Sequence, residues 1–237
     1  MVSTVSGEHR VYKVFRLMCD PVIRRWNVET KQQNQGLLIV VSAPSGAGKT
    51  SILSELFEKH PELIFSVSVT TRPPRKGEVD GVDYHFVTND VFDRYVKNEA
   101  FAEWAVVHGE RYGTLKEYVR KALDAGKTII LDTDTVGAFN IRGSFPDAIL
   151  IFIAPPSPEE LSERLRNRNT ESDDIIERRL RAAPREMASM SKYDYIVLNN
   201  TICVAADNIH SIILAEKSRS GRIISTLTPW RDYINGT

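Results

Sequence analysis

The sequence predicts an α/β fold in which a parallel sheet lies between two layers of helices. Three observations predict it. Short, unbroken apolar runs have the length of strands buried on both faces. Segments with a helical apolar stripe alternate with those runs. A glycine-rich turn ending in Lys-Thr joins the first run to the first helical stripe.

The first strand is Leu37 to Val41. Its helix follows at once, with Ile52, Leu53, Leu56 and Phe57 on one face and Pro61 closing it. Phe65 to Val69 alternates like a strand, Asp90 to Lys97 reads as a helix, and Leu115 to Ala125 as a helix stopped by Gly126. Thr128 to Leu131 and Ala148 to Ile153 have the pattern of buried strands. Pro158 to Arg168 and Ile175 to Met187 read as helices, Tyr195 to Leu198 as a last strand and Ala205 to Glu216 as a closing helix. Such alternation implies parallel pairing with right-handed crossovers. Residues 1–35 stand apart as a basic extension. Arg10, Lys13, Arg16, Arg24, Arg25 and Lys31 outnumber its acids, and a targeting peptide, an early start codon and a docked terminal helix all fit it.

Composition limits the function. At 237 residues, 42% apolar and 26% charged, the chain is of ordinary globular make-up. Its 31 basic and 31 acidic side chains cancel, which argues against a nucleic-acid binder and leaves any anion site local. Cys19 and Cys203 form no CxxC pair, so neither a disulfide framework nor a zinc site is expected and a reducing cytosol fits. The histidines, His9, His60, His85, His108 and His210, lack ligand spacing, and no transition-metal site is expected. No apolar run approaches the ~18 residues that span a bilayer, so no membrane partner and a cytoplasmic location are expected.

Ala43-Pro44-Ser45-Gly46-Ala47-Gly48-Lys49-Thr50 matches the P-loop pattern except that Ala43 stands at the first glycine. In such a loop successive backbone N–H groups turn toward one anion and the helix N-terminus adds positive charge. Lys49 then reaches the β- and γ-phosphates of ATP, and the Thr50 hydroxyl holds Mg2+. A magnesium site also needs a carboxylate at the end of a neighbouring strand, and Thr128 to Leu131 delivers Asp132, with Asp134 two residues on. The fold is therefore expected to be a three-layer P-loop NTPase. An Asn/Thr-Lys-x-Asp guanine reader is absent, which disfavours a regulatory GTPase.

Between the P-loop helix and Asp132, Pro73 and Pro74 stiffen a loop carrying Arg72 and Arg75, whose guanidinium forks suit a phosphate. At this point the chain resembles the guanylate kinase family, from about Leu38 to Asn200. The shared stretches are Ser42-Ala-Pro-Ser-Gly-Ala-Gly-Lys49, Ser66-Val-Ser-Val-Thr-Thr-Arg72, Arg75 through Gly77-Glu78-Val79, Phe101-Ala-Glu103-Trp104, Tyr112-Gly113-Thr114 and Leu131-Asp132-Thr-Asp134.

The resemblance implies transfer of the ATP γ-phosphoryl group to GMP, in purine nucleotide metabolism and GMP recycling, by a monomer or homodimer. It implies a kinase domain over 36–216, with a GMP-binding insert at about 68–118 and a lid at about 156–180, followed by a tail at 217–237. Arg72, Arg75, Tyr84 and Tyr112 would grip the GMP phosphate. Ser68, Glu103 and Thr114 would read guanine, whose N1–H and amino group donate to a carboxylate where adenine would present an acceptor. Asp134 joins the GMP set, and Ser51 and Asn199 join the P-loop in the ATP set. Lys49, Arg75, Arg164, Arg168 and Arg179 would neutralise the transferring group. Val136, Thr133 and Asn169 depart from the family pattern, without removing a charge. Two rivals remain: a kinase for AMP, dTMP or a sugar acid, and a silent domain that binds a phosphopeptide.

Overall fold

In the computed structural model, the residues described are 36–107, 109–167 and 173–223, with Leu227, Trp230 and Tyr233. Expectations placed on residues 1–35, Arg168 and Asn169 lie outside them. Gln33–Ser225 forms one compact unit; the last three described residues belong to a second, in which the Trp230 and Tyr233 rings meet edge-on at 6.1 Å.

The main unit is built on five parallel strands. β1 (Leu37–Ser42) lies between β7 (Thr128–Asp132) and β8 (Ile149–Ala154), with β2 (Ile64–Phe65) outside β7 and β9 (Tyr195–Leu198) outside β8. The apolar runs contain a hidden alternation. Leu37, Ile39 and Val41 face one helical layer, where Ile52, Leu53 and Leu56 of α1 (Lys49–Lys59) pack with Ile209 and Ile213 of α7 (Ile202–Lys217). Leu38 and Val40 face the other, packing with Val119 of α3 (Lys116–Asp124) and with Ala138 and Ile141 of α4 (Thr135–Ser144). Each fully buried Leu or Ile contributes about 1.5–3 kcal/mol, so this double-sided core fixes the register on which the site depends.

The expected strand at Phe65 to Val69 is instead two strands in two sheets. Phe65 ends β2, and the Ser66 N–H still donates to Ile130 at 2.9 Å. By Ser68 the carbonyl accepts from His85, 2.9 Å away, in a second sheet. That sheet has the order β4 (His85–Phe86), β3 (Val69–Thr70), β6 (Glu110–Leu115), β5 (Phe101–Val107), and β5 and β6 form an antiparallel hairpin. With α2 (Asn89–Lys97), whose N-cap Thr88 accepts from Val91, it encloses a small core of Val69, Phe92, Phe101 and Leu115.

α5 (Pro158–Asn167) and α6 (Asp173–Ala188) pack through Leu161, Leu165, Ile176 and Ala183. A single 3-10 turn, Ser189–Lys192, leads into β9, and α8 (Ser220–Ile223) follows α7. The helix α4 has no counterpart among the sequence expectations because Gly137 and Gly143 blur its pattern. Asp134 caps it, accepting from the Gly137 N–H at 2.8 Å.

Candidate active site

β1 is the switch point of the sheet, because the chain crosses to β7 on one side and β8 on the other, and ligands of open α/β sheets bind at such a point. The P-loop leaves its carboxyl end. Gly48 sits at φ 90°, and a Cβ there would lie 2.4 Å from Asn199 Nδ2, so both backbone sign and space demand glycine. Asn199, buried to 2% exposure, donates from Nδ2 to the Ala47 carbonyl at 2.7 Å, while its Oδ1 is buried without a partner. A cavity of about 520 Å3 opens here, lined among others by Gly46, Gly48, Ser51, Arg164 and Asn199.

The register Val41↔Asp132 sets the Asp132 carboxylate against Lys49 Nζ, which also donates to the Thr133 carbonyl at 2.9 Å. In this structure the lysine is thus held by the end of β7, and the exposed Thr50 hydroxyl is beside it in sequence. Arg179 of α6 donates to Ser45 Oγ at 2.7 Å. Glu186, from the same helix, accepts from the Ser45 backbone, and burial pushes its carboxyl above the usual range. Arg164 is tethered rather than free: Nη2 donates to the Asn199 carbonyl at 3.0 Å and Nε to Glu160 at 2.9 Å.

On the insert, Arg72 forms a two-pronged pair with Glu78, at 2.8 and 3.0 Å, and its guanidinium lies over the rings of Tyr84 and Phe86. Glu78 also accepts from the Arg75 N–H at 2.7 Å, and these partners hold its carboxyl below the ordinary value. The fork expected to face a phosphate is therefore neutralised and aimed by a carboxylate. The Tyr84 and Tyr112 rings meet at 5.9 Å beside it, whereas the Arg75 side chain is exposed.

Glu103 Oε1 accepts from the buried Thr114 hydroxyl at 3.1 Å, across a β5–β6 pair that places the two residues opposite each other. Its Oε2 lies 3.2 Å from where a Gly137 Cβ would stand, so α4 carries glycine where the carboxylate passes. Burial, with Asp134 adding like charge, raises the Glu103 carboxyl to about 7. Lys49 thus meets Asp132 at the end of β7, Asp134 two residues on caps α4 at Gly137, and Glu103, paired with Thr114, passes that glycine. Ser68 lies at the seam of the two sheets, giving its carbonyl to His85.

Sequence reasoning missed Glu78, Glu186 and the Thr133 carbonyl. Glu160, four residues before Arg164, carried the one readable signal. Val136 is exposed, so the missing glutamine removes no packing there.

Fold and site together define a P-loop phosphotransferase with a second, carboxylate-bearing sheet. The family model for guanylate kinase matches residues 35–216, and the chain belongs to that family. It is 49% identical over 193 residues to a guanylate kinase of Syntrophotalea carbinolica, covering 81% of this chain and 92% of that one. It is 44% identical over 191 residues to one of Desulfitobacterium hafniense, covering 81% and 96%. The crystal structure of guanylate kinase from Anaplasma phagocytophilum aligns with a TM-score of 0.65 at 32% identity, over 83% of this chain and 95% of that one.

Proposed function

We infer that this chain is an active guanylate kinase that moves the γ-phosphoryl group of ATP to GMP, giving ADP and GDP in purine nucleotide metabolism. Beyond family membership, the observation that carries the reading is Glu103, a carboxylate oriented by Thr114 and passing against Gly137 of the helix that Asp134 caps. A silent phosphopeptide binder has no use for an intact Lys49–Asp132 pair, and an AMP or dTMP kinase has none for a carboxylate that asks for two N–H donors.

In this reading the P-loop N–H groups, Lys49, Arg164, Arg168 and Arg179 hold the triphosphate. Arg72, Arg75, Tyr84 and Tyr112 hold the GMP phosphate, and Ser68, Glu103 and Thr114 its base. The attacking atom is already an anionic phosphate oxygen, so positioning and charge neutralisation suffice without a general base. The family implies magnesium, and the donors fit: Thr50 offers an exposed hydroxyl and Asp132 has a second oxygen beyond the one on Lys49, both hard ligands. Bound with ATP, the ion would screen the charge on the β- and γ-phosphates. No helix among the described residues is long and apolar enough to cross a membrane. ATP-dependent phosphorylation of GMP fits the cytosol.

The test is ADP release with GMP, AMP, dTMP and UMP in parallel, followed from pH 6 to 8.5 for the parent and Glu103→Gln. GMP-selective turnover is expected. Guanine needs the ionised carboxylate, so kcat/KM for GMP falls about tenfold per pH unit below the Glu103 value of about 7. Glu103→Gln lowers kcat/KM for GMP about 100-fold at pH 8 and flattens that slope, leaving only the titration of GMP itself. Preference for AMP or dTMP, or an unchanged slope in the variant, would overturn the base assignment.

A further inference from the structure

Away from the phosphate site, at the far end of α1, the structure gathers three potential metal ligands that no motif announced. α1 is 11 residues long, so this end lies about 15 Å from the P-loop at 1.5 Å per residue. His60 is its C-cap residue. Pro61 and Glu62 follow in a tight turn closed by the Leu63 N–H donating to the His60 carbonyl at 3.1 Å. His210 projects from α7, between Ile209 and Ile213 in sequence, whose side chains are buried against α1. Both backbones are therefore anchored in the hydrophobic core.

The imidazoles of His60 and His210 stack with centroids 3.5 Å apart and planes 18° from parallel, so their in-plane lone pairs converge on one ion once one ring turns out of the stack. Glu62 Oε1 is 3.7 Å from His60 Nδ1, and one ligand atom from each of the three residues lies within 4.8 Å of the others. A 3.7 Å gap is too long for a hydrogen bond. It is near the ligand-to-ligand edge of about 3.4 Å that follows from tetrahedral bonds of about 2.0–2.2 Å to zinc.

We propose that His60, Glu62 and His210 form a site for a divalent transition metal of the zinc class, separate from the magnesium used with ATP. Two imidazoles and one carboxylate favour zinc, cobalt or nickel over magnesium, which prefers all-oxygen ligands. A cation at this place also meets the negative end of the α1 dipole. The neighbouring basic group does not compete for the space: Lys59 is drawn to Cys203 Sγ at 3.0 Å and Asp207 Oδ1 at 2.9 Å. Three protein ligands leave a fourth position for water. A bound ion would pin the end of the P-loop helix to α7, so its effect is on stability rather than on phosphoryl transfer.

The full chain, without a polyhistidine tag and stripped with chelator, is titrated with Co2+ while the visible absorption of tetrahedral cobalt is followed, with Mg-ATP present to fill the phosphate site. Expected is one equivalent of Co2+, displaced by Zn2+, with Glu62→Gln binding at least tenfold more weakly and His60→Ala and His210→Ala losing the band. Zn2+ raises the Tm of the parent by several degrees and leaves that of the His210→Ala variant unmoved. His210→Gln serves if the alanine variant does not fold. Equal Co2+ binding by the parent and a His60→Ala/His210→Ala double variant, or no saturable band in the parent, would overturn the proposal.

Discussion

The P-loop half of the main unit and the insert are built by different means. On the P-loop side, strands buried on both faces deliver their last residues to one point, and beside its side-chain pairs each of three site residues is also tied to backbone: Lys49 to the Thr133 carbonyl, Asn199 to the Ala47 carbonyl, Arg164 to the Asn199 carbonyl. On the insert, a two-faced sheet leaves Trp104, Val106 and Val107 exposed, and the contacts run from side chain to side chain: Arg72 to Glu78, Thr114 to Glu103. Backbone contacts are fixed once the fold forms. Side-chain pairs can exchange a partner for a substrate, so under the proposed function the donor side keeps its geometry while the acceptor side waits with its charges paired.

The largest effect should come from breaking the rigid half. Gly48→Ala forces a side chain into a φ of 90° and into Asn199 Nδ2, whose amide is committed to Ala47. We expect kcat/KM for ATP to fall about 100-fold or more, and Tm to drop by about 5–10 °C from roughly 2–3 kcal/mol of strain, read by coupled assay and thermal melt. The same assay on Glu78→Gln probes the waiting half. Arg72 loses its charged partner but not its neighbours Tyr84 and Phe86, so KM for GMP should shift about three- to tenfold with kcat nearly unchanged. A kcat loss as large as that of Gly48→Ala would erase the distinction between the halves. Smallest of all, Val136→Gln restores the residue usual in the family at an exposed position and should alter kcat by less than about twofold.

Glu103 carries the tension between the halves. Its folded carboxyl keeps its proton to about pH 7, above the 4.5 of an ordinary glutamate, so folding stability declines as pH rises from about 4.5 to 7. Under the proposed function, guanine binding needs the ionised form. Stability and function thus pull this residue in opposite directions, and Glu103→Gln should melt higher than the parent above pH 7 while turning over GMP poorly.

Much of the parallel half was legible in the sequence because its signals are local. Tyr195 to Leu198 was read with its observed bounds, and the P-loop chemistry follows from residue order. In the acceptor half the helix over Asp90 to Lys97 was legible from its pattern and Arg72 and Arg75 from their stiff loop, but the base-reading residues only through family likeness. Its strands β3 and β4 are two residues each, too short for a period, and the Phe65 to Val69 run looked like one strand because pattern cannot reveal a change of sheet. Glu186 and the His60–His210 stack arise from contacts between distant segments, which spacing does not encode, and Glu78 pairs with Arg72 through a loop turn that has no regular period.

One earlier detail bears on how faithfully the chain assembles. β7 reads Thr-Ile-Ile-Leu-Asp, and Asp132 is opposite Val41 while Leu131, at 1% exposure, is opposite Val40. Sliding β7 by one residue would carry the carboxylate into the slot of a buried leucine, at a cost of several kcal/mol for an unpaired charge. The two-sided core already opposes such a slip, because it would exchange the residues that face the two helical layers. The residue that meets the P-loop lysine adds a second penalty at the strand's end, so the same aspartate that serves the site also disfavours the wrong register.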